Sequence, residues 1–128
     1  MTYLDTSVAL AQLLAEDRRP PESLWREELI SSRLLEYETW TRVNNLGLAR
    51  SHAEDVRELL SRVAFVELTP AVLERALEPF PVPVRTLDAI HLASVDFLWR
   101  NGQKVDVASY DERLVKAVRA LGFATMEL

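Results

Sequence analysis

The sequence predicts a three-layer α/β/α sandwich built on a central, mainly parallel sheet of four to five short strands. Three observations lead there. Short β-prone runs alternate with helical patterns along the whole chain. The segments between runs are long enough to be crossover helices, which parallel strands require and which then cover both faces of the sheet. Stop and cap signals such as Thr69-Pro70, Asn101-Gly102 and Gly122 separate the elements. At 128 residues the chain is expected to form one domain, residues 1–128.

In order, "TYL" is a strand, and Ser7 to Ala15 is apolar enough for a buried helix. "EDRRPPES" breaks the chain, and Pro21 to Glu28 fits a short helix with proline in the first turn. "LIS" reads as a second strand. A long helix from about Arg33 to Ala49 leads through "RSHAED" into another that ends near Arg62. "VAFVEL" has the β-branched and aromatic content of a buried strand. Thr69 as N-cap with Pro70 behind it opens a helix that "PFPVPVR" ends in extended backbone. A helix from Leu87 to Arg100 follows, capped by Thr86; then come the strand "VDVAS", a helix from Asp111 to Leu121 and a last strand in "ATMEL".

Composition limits what such a domain can do. Hydrophobic residues make up 48% of the chain and charged residues 27%, as in ordinary globular proteins, and no apolar run approaches the ~20 residues of a membrane span. Cysteine is absent, which removes disulfides and thiolate metal sites. With no leader-like pattern at the start, a cytoplasmic location is expected. The net charge of −5 does not attract nucleic acid. A polyanionic substrate would need a local arginine cluster or a bound divalent cation.

Four carboxylates are placed where chemistry happens, and each has a structural reading beside the functional one. Asp5 ends the first strand and precedes a helix, the location of ligand sites in open parallel sheets and equally of helix caps. Asp111 repeats that junction; alternatively, Ser109 and Glu112 form a capping box with Asp111 in the first turn. Asp88 falls on the helical wheel between Val95 and Trp99, so it points with the apolar face and, if buried, needs a partner; equally, it is a first-turn acid that complements the helix dipole after Thr86. Glu36 and Glu38 are two residues apart and point to nearly opposite sides, so only one of them can face a shared site. Periodicity does not choose between them. His52 and His91 stand alone on their helices, which speaks against a histidine metal site and leaves His91 as a packing or hydrogen-bonding residue. Trp25, Trp40 and Trp99 are expected in the core or at an interface.

The stretches "YLDTS", "SSRLLEYE", "RTLDAIHLAS" and "ASYDERLVKAVRALGF" together resemble, in this order, the PIN domain, and in particular the VapC ribonuclease toxins of type II toxin–antitoxin systems. The resemblance implies a PIN-like sheet with its acids on Asp5, Glu38, Asp88 and Asp111; Ser32, six residues upstream, selects Glu38 over Glu36. It implies Mg²⁺ or Mn²⁺ on those carboxylates, hydrolysis of RNA phosphodiesters, an antitoxin partner of the VapB kind and a homodimer. Thr6 and Ser7 match the hydroxyls after the first acid, and one of them is left to cap the helix. Ser109 stands where a threonine is commoner. Arg42 and Arg85 are candidates for holding flanking phosphates. Asp96 and Asp106 are further acids without an assigned place. Two other readings share the same acids. A phosphohydrolase would use the strand-end aspartate as nucleophile, although Ser7 fills the place of its usual second acid. A catalytically inactive PIN-like binding module would use the acids as caps only.

Overall fold

A computed structural model describes residues 1–128. Five short strands, β1 Thr2–Leu4, β2 Leu29–Ser32, β3 Val63–Val66, β4 Asp106–Ala108 and β5 Ala124–Thr125, form one sheet in the order β3-β2-β1-β4-β5. Every neighbouring pair is parallel. Six helices connect them: α1 Thr6–Leu13, α2 Leu34–Asn45, α3 Ala49–Ser61, α4 Pro70–Leu77, α5 Thr86–Arg100 and α6 Glu112–Ala120.

Strand alternation decides what each face buries. Tyr3, Ile30, Val66 and Val107 point into one core with α4, α5 and α6. Leu4, Leu29, Val63 and Ala108 point into the other with α1, α2 and α3. The chain thus steps from β1 to β3 with helices on one face, then recrosses and steps from β4 to β5 with helices on the other. Right-handed crossovers produce this pattern when strand order reverses. The reversal falls between β1 and β4, and a crevice at such a switch point is where open α/β sheets bind ligands.

Three boundaries differ from those expected. The long helix stops at Asn45, because Gly47 takes a left-handed conformation at φ +69° that releases the chain from its turn. "RSHAED" lies inside α3 and is no connection. The segment after the proline pair is a 3₁₀ turn over Glu22–Arg26, with Leu24 as its buried anchor. Trp25, Trp40 and Trp99 pack at the margins of the two cores, Trp99 stacked on Phe123 at 4.9 Å. No helix is long and apolar enough to cross a membrane.

Candidate active site

The backbone brings two acids together before any side chain is considered. The amide of Asp5 still pairs with the Ala108 carbonyl at 3.0 Å, so this residue stands where β1 and β4 part. Asp111 follows β4 two residues beyond Ser109. Both aspartates are N-caps: Asp5 Oδ2 accepts from the Ser7 amide at 3.4 Å, and Asp111 Oδ1 from those of Arg113 at 3.0 Å and Leu114 at 3.4 Å. Two cap expectations are corrected here. Thr6 and Ser7 lie inside α1 and do not cap it. Ser109 lies too far from the first turn of α6, which begins at Glu112, so the cap falls to Asp111. A third correction concerns α5, which starts one residue early; Thr86 is its first residue and Arg85 occupies the cap without a side-chain bond.

Ser109 does something else. Its hydroxyl accepts from the Asp111 amide at 2.9 Å and donates to Asp5 Oδ2 at 2.7 Å, tying the two strand ends together. The Ser7 hydroxyl donates to the same Oδ2 at 2.6 Å and accepts from the Tyr110 amide at 2.9 Å. Asp5 is 5% exposed, and these donors make such burial of a carboxylate tolerable.

Glu38 enters from the second turn of α2, whose start is set by the Ser32 hydroxyl accepting from the Leu34 amide at 3.1 Å. Thr6 Oγ1 donates to Glu38 Oε1 at 2.8 Å, and His91 Nε2 lies 2.6 Å from the same oxygen. Glu36 turns away to Arg33, 3.4 Å distant. The imidazole of His91 continues inward to the hydroxyl of Tyr3, 2.7 Å from Nδ1. Burial resists a charge on that imidazole, but the Glu38 hydrogen bond and the charges of Asp5, Glu38 and Asp88 outweigh it and raise its pKa. His91 is thus a hydrogen-bonding residue, one of the two readings that its solitary place on the helix leaves.

Asp88, in the first turn of α5, hydrogen-bonds to nothing. It has an ion pair with Arg85 at 3.7 Å, and that guanidinium is largely exposed. Burial, then the charge of Asp111 and that of Asp5, push the Asp88 carboxyl above the usual range against the pull of Arg85. The charges of Asp111 and Asp5 therefore oppose a charge on Asp88.

A common pattern runs through the cluster. Asp5, Glu38 and Asp111 each commit one oxygen to protein donors and leave the other without a hydrogen bond. All the available donors are carboxylate oxygens, the chemistry that suits Mg²⁺ or Mn²⁺. No three acidic or histidine side chains converge on one point at coordination distance, so the acids are neighbours without forming a closed cage.

The candidate arginines flank this cluster. Arg42 lies with Arg18, Tyr110, Ser7 and Asp111 around a cleft of ≈ 740 Å³. Arg85 lies with Arg113, Lys116 and Asp88 around a smaller one of ≈ 350 Å³. Sequence reasoning missed Arg18, Arg113 and Lys116, because nothing in their local pattern separates them from other surface cations. It also gave His91 no place near the acids, although the i, i+3 spacing from Asp88 was a usable signal. Of the unplaced acids, Asp96 is buried beneath Arg75, and Asp106 opens β4 at the opposite edge of the sheet.

A family model described as "PIN domain" matches residues 2–120. Ribonuclease VapC47 of Mycobacterium tuberculosis (strain CDC 1551 / Oshkosh) is 30% identical over 132 residues, covering 98% of this chain and 95% of the relative.

Proposed function

The chain belongs to the PIN domain family, and from that membership and the acid cluster we propose that it is a Mg²⁺- or Mn²⁺-dependent endoribonuclease, acting as one domain in the cytoplasm. What supports this reading is that the charges of Asp111 and Asp5 act on Asp88 beside the crevice between β1 and β4, while Glu38 is tied to Thr6, the residue after Asp5. Asp5, Asp88 and Asp111 would hold the cation, with Glu38 beside them. A divalent cation, when bound, supplies the charge that acidifies a nucleophilic water and offsets the charge growing on the phosphodiester.

The chain's own residues do the rest. Ser7 and Ser109 hold Asp5 so that its free oxygen stays toward the crevice, and Thr6 does the same for Glu38. Arg18 and Arg42 on the Asp111 side, with Arg85, Arg113 and Lys116 on the Asp88 side, would grip phosphates before and after the scissile one. An acidic protein can then take RNA, because a bound cation and these flanking side chains would offset the carboxylates locally.

By likeness to a VapC ribonuclease, we further propose a VapB-like antitoxin as partner and a homodimer as the working form. The test is cleavage of total RNA in Mg²⁺ or Mn²⁺ with chelator as control. Asp5→Asn is expected to remove cleavage and growth inhibition while leaving the circular dichroism spectrum unchanged. Full cleavage by that folded variant would overturn the reading.

A further inference from the structure

The nuclease reading assigns Glu38 to the site but leaves open what aims it. We infer that Tyr3 and His91 form a buried support that sets the direction of the Glu38 carboxylate, making His91 a positioning residue of the acid cluster. Tyr3 is fully buried under the sheet and His91 is 2% exposed. The Tyr3 oxygen accepts from the Ser32 amide at 3.2 Å, and its hydroxyl hydrogen has His91 Nδ1 at 2.7 Å. A phenol is protonated at neutral pH, hence a donor.

An imidazole that accepts at Nδ1 carries its hydrogen on Nε2, and Nε2 faces Glu38 Oε1 at 2.6 Å. Nε2 carries that hydrogen in the neutral and the charged ring alike; in the charged ring Nδ1–H would donate to the Tyr3 oxygen instead, and the Glu38 contact is common to both. Thr6 Oγ1 donates to the same oxygen from a second element. Two donors on one oxygen, from α1 and α5, fix the plane of a side chain that is otherwise free about three bonds. The other oxygen, Oε2, hydrogen-bonds to nothing and is left for the crevice. A leucine would fill the same buried space without polar atoms to satisfy; a histidine there makes sense as an orienting group.

The experiment compares wild type with His91→Leu, His91→Gln and Tyr3→Phe, each in a Glu38 and in a Glu38→Gln background. Melting temperature, Mn²⁺ binding without RNA, and kcat and KM on RNA are measured for each. His91→Leu is expected to lower Mn²⁺ affinity and kcat by about 10- to 100-fold, as removal of a ligand's supporting partner does, with KM little changed. His91→Gln, which returns an N–H to the place of Nε2, is expected to recover most of the loss, and in the Glu38→Gln background His91→Leu should add nothing. Long-range ¹H–¹⁵N spectra of the wild type should find the Nε2 hydrogen. Unchanged Mn²⁺ affinity in His91→Leu, the same loss without Glu38, or a hydrogen on Nδ1 alone would each overturn the proposal. If His91→Leu does not fold, the comparison of His91→Gln with Tyr3→Phe decides, the first expected near wild type and the second weakened. A wild type that cleaves no RNA strikes the nuclease reading alone, since Mn²⁺ binding and the spectra still judge His91.

Discussion

Asp88 and Asp96 lie on one helix, α5, roughly two turns apart, with side chains 17% and 10% exposed, and the protein treats their charges in opposite ways. Asp96 meets Arg75 Nε at 2.8 Å and Arg100 Nε at 3.1 Å, and Arg75 is itself laid over the Phe80 ring at 4.3 Å. That joint clamps α4 and the proline-rich connection to α5. Asp88 has Arg85 at 3.7 Å as its one ion-pair partner, while the charges of Asp111 and Asp5 press on it. Where a buried charge holds helices together it is compensated by neighbouring side chains. Where it is left short of compensation, the missing charge is what a cation would bring.

The sharpest way to break this contrast is to neutralise each acid in turn. Asp88→Asn is expected to reduce RNA cleavage by ~10²-fold or more, since several kcal/mol of charge stabilisation is lost from the reaction. It should leave the metal-free melting temperature unchanged or slightly raised, because repulsion is relieved. Asp96→Asn should do the reverse. Removing one partner from a buried pair leaves Arg75 with only the exposed Glu78, 3.9 Å away, costing about 3 kcal/mol and lowering the melting temperature by roughly 10 °C, with cleavage per folded molecule intact. If both variants lost activity and stability together, the distinction between the two ends of α5 would not hold.

A smaller effect sharpens the same point. Mn²⁺ at ten to a hundred times its dissociation constant is expected to stabilise the wild type by roughly 1.4 to 2.7 kcal/mol in thermal melts. Asp96→Asn should keep that increment and Asp88→Asn should lose most of it. The smallest effect comes from an exposed pair, Glu67 with Arg33 at 2.7 Å, which shows what compensation is worth in water. The Arg33 hydrogen bond holds the Glu67 carboxyl below its ordinary value of 4.5. A depressed carboxylate contributes stability that is present above the ordinary value and is lost as pH falls through the folded one. Urea midpoints of wild type and Glu67→Gln should therefore differ slightly at neutral pH and coincide in acid.

The fold was legible because its signals are local. Alternating runs, Thr69 with Pro70, and Gly122 at φ +81° each act within a turn of where they stand. The site was legible only as candidates. Glu36 and Glu38 are equivalent on the wheel, and what separates them in space is Thr6 on one side and Arg33 on the other. Ser109 satisfied the capping-box pattern yet serves as a brace to Asp5, a contact with a sequence separation of 104 that no window contains. Asp96 carried no sign of its role because Arg75 lies on another helix. His91 was readable as a packing or hydrogen-bonding residue, but its two partners, Tyr3 and Glu38, lie 88 and 53 residues away.

The place of β1 between β2 and β4 bears on how the protein comes into being on the ribosome. Asp5 and Glu38 belong to the part of the chain made first, while Asp88 and Asp111 wait for α5 and for β4 to insert beside β1. At ~5–20 residues per second, translation separates Asp5 from Asp111 by roughly 5–20 s, an interval in which the nascent chain carries an incomplete set of acids. A break in the connection between α4 and α5 would likewise leave two fragments with two of the four acids each. On the proposed nuclease reading, the crevice is complete only when nearly the whole sandwich has emerged.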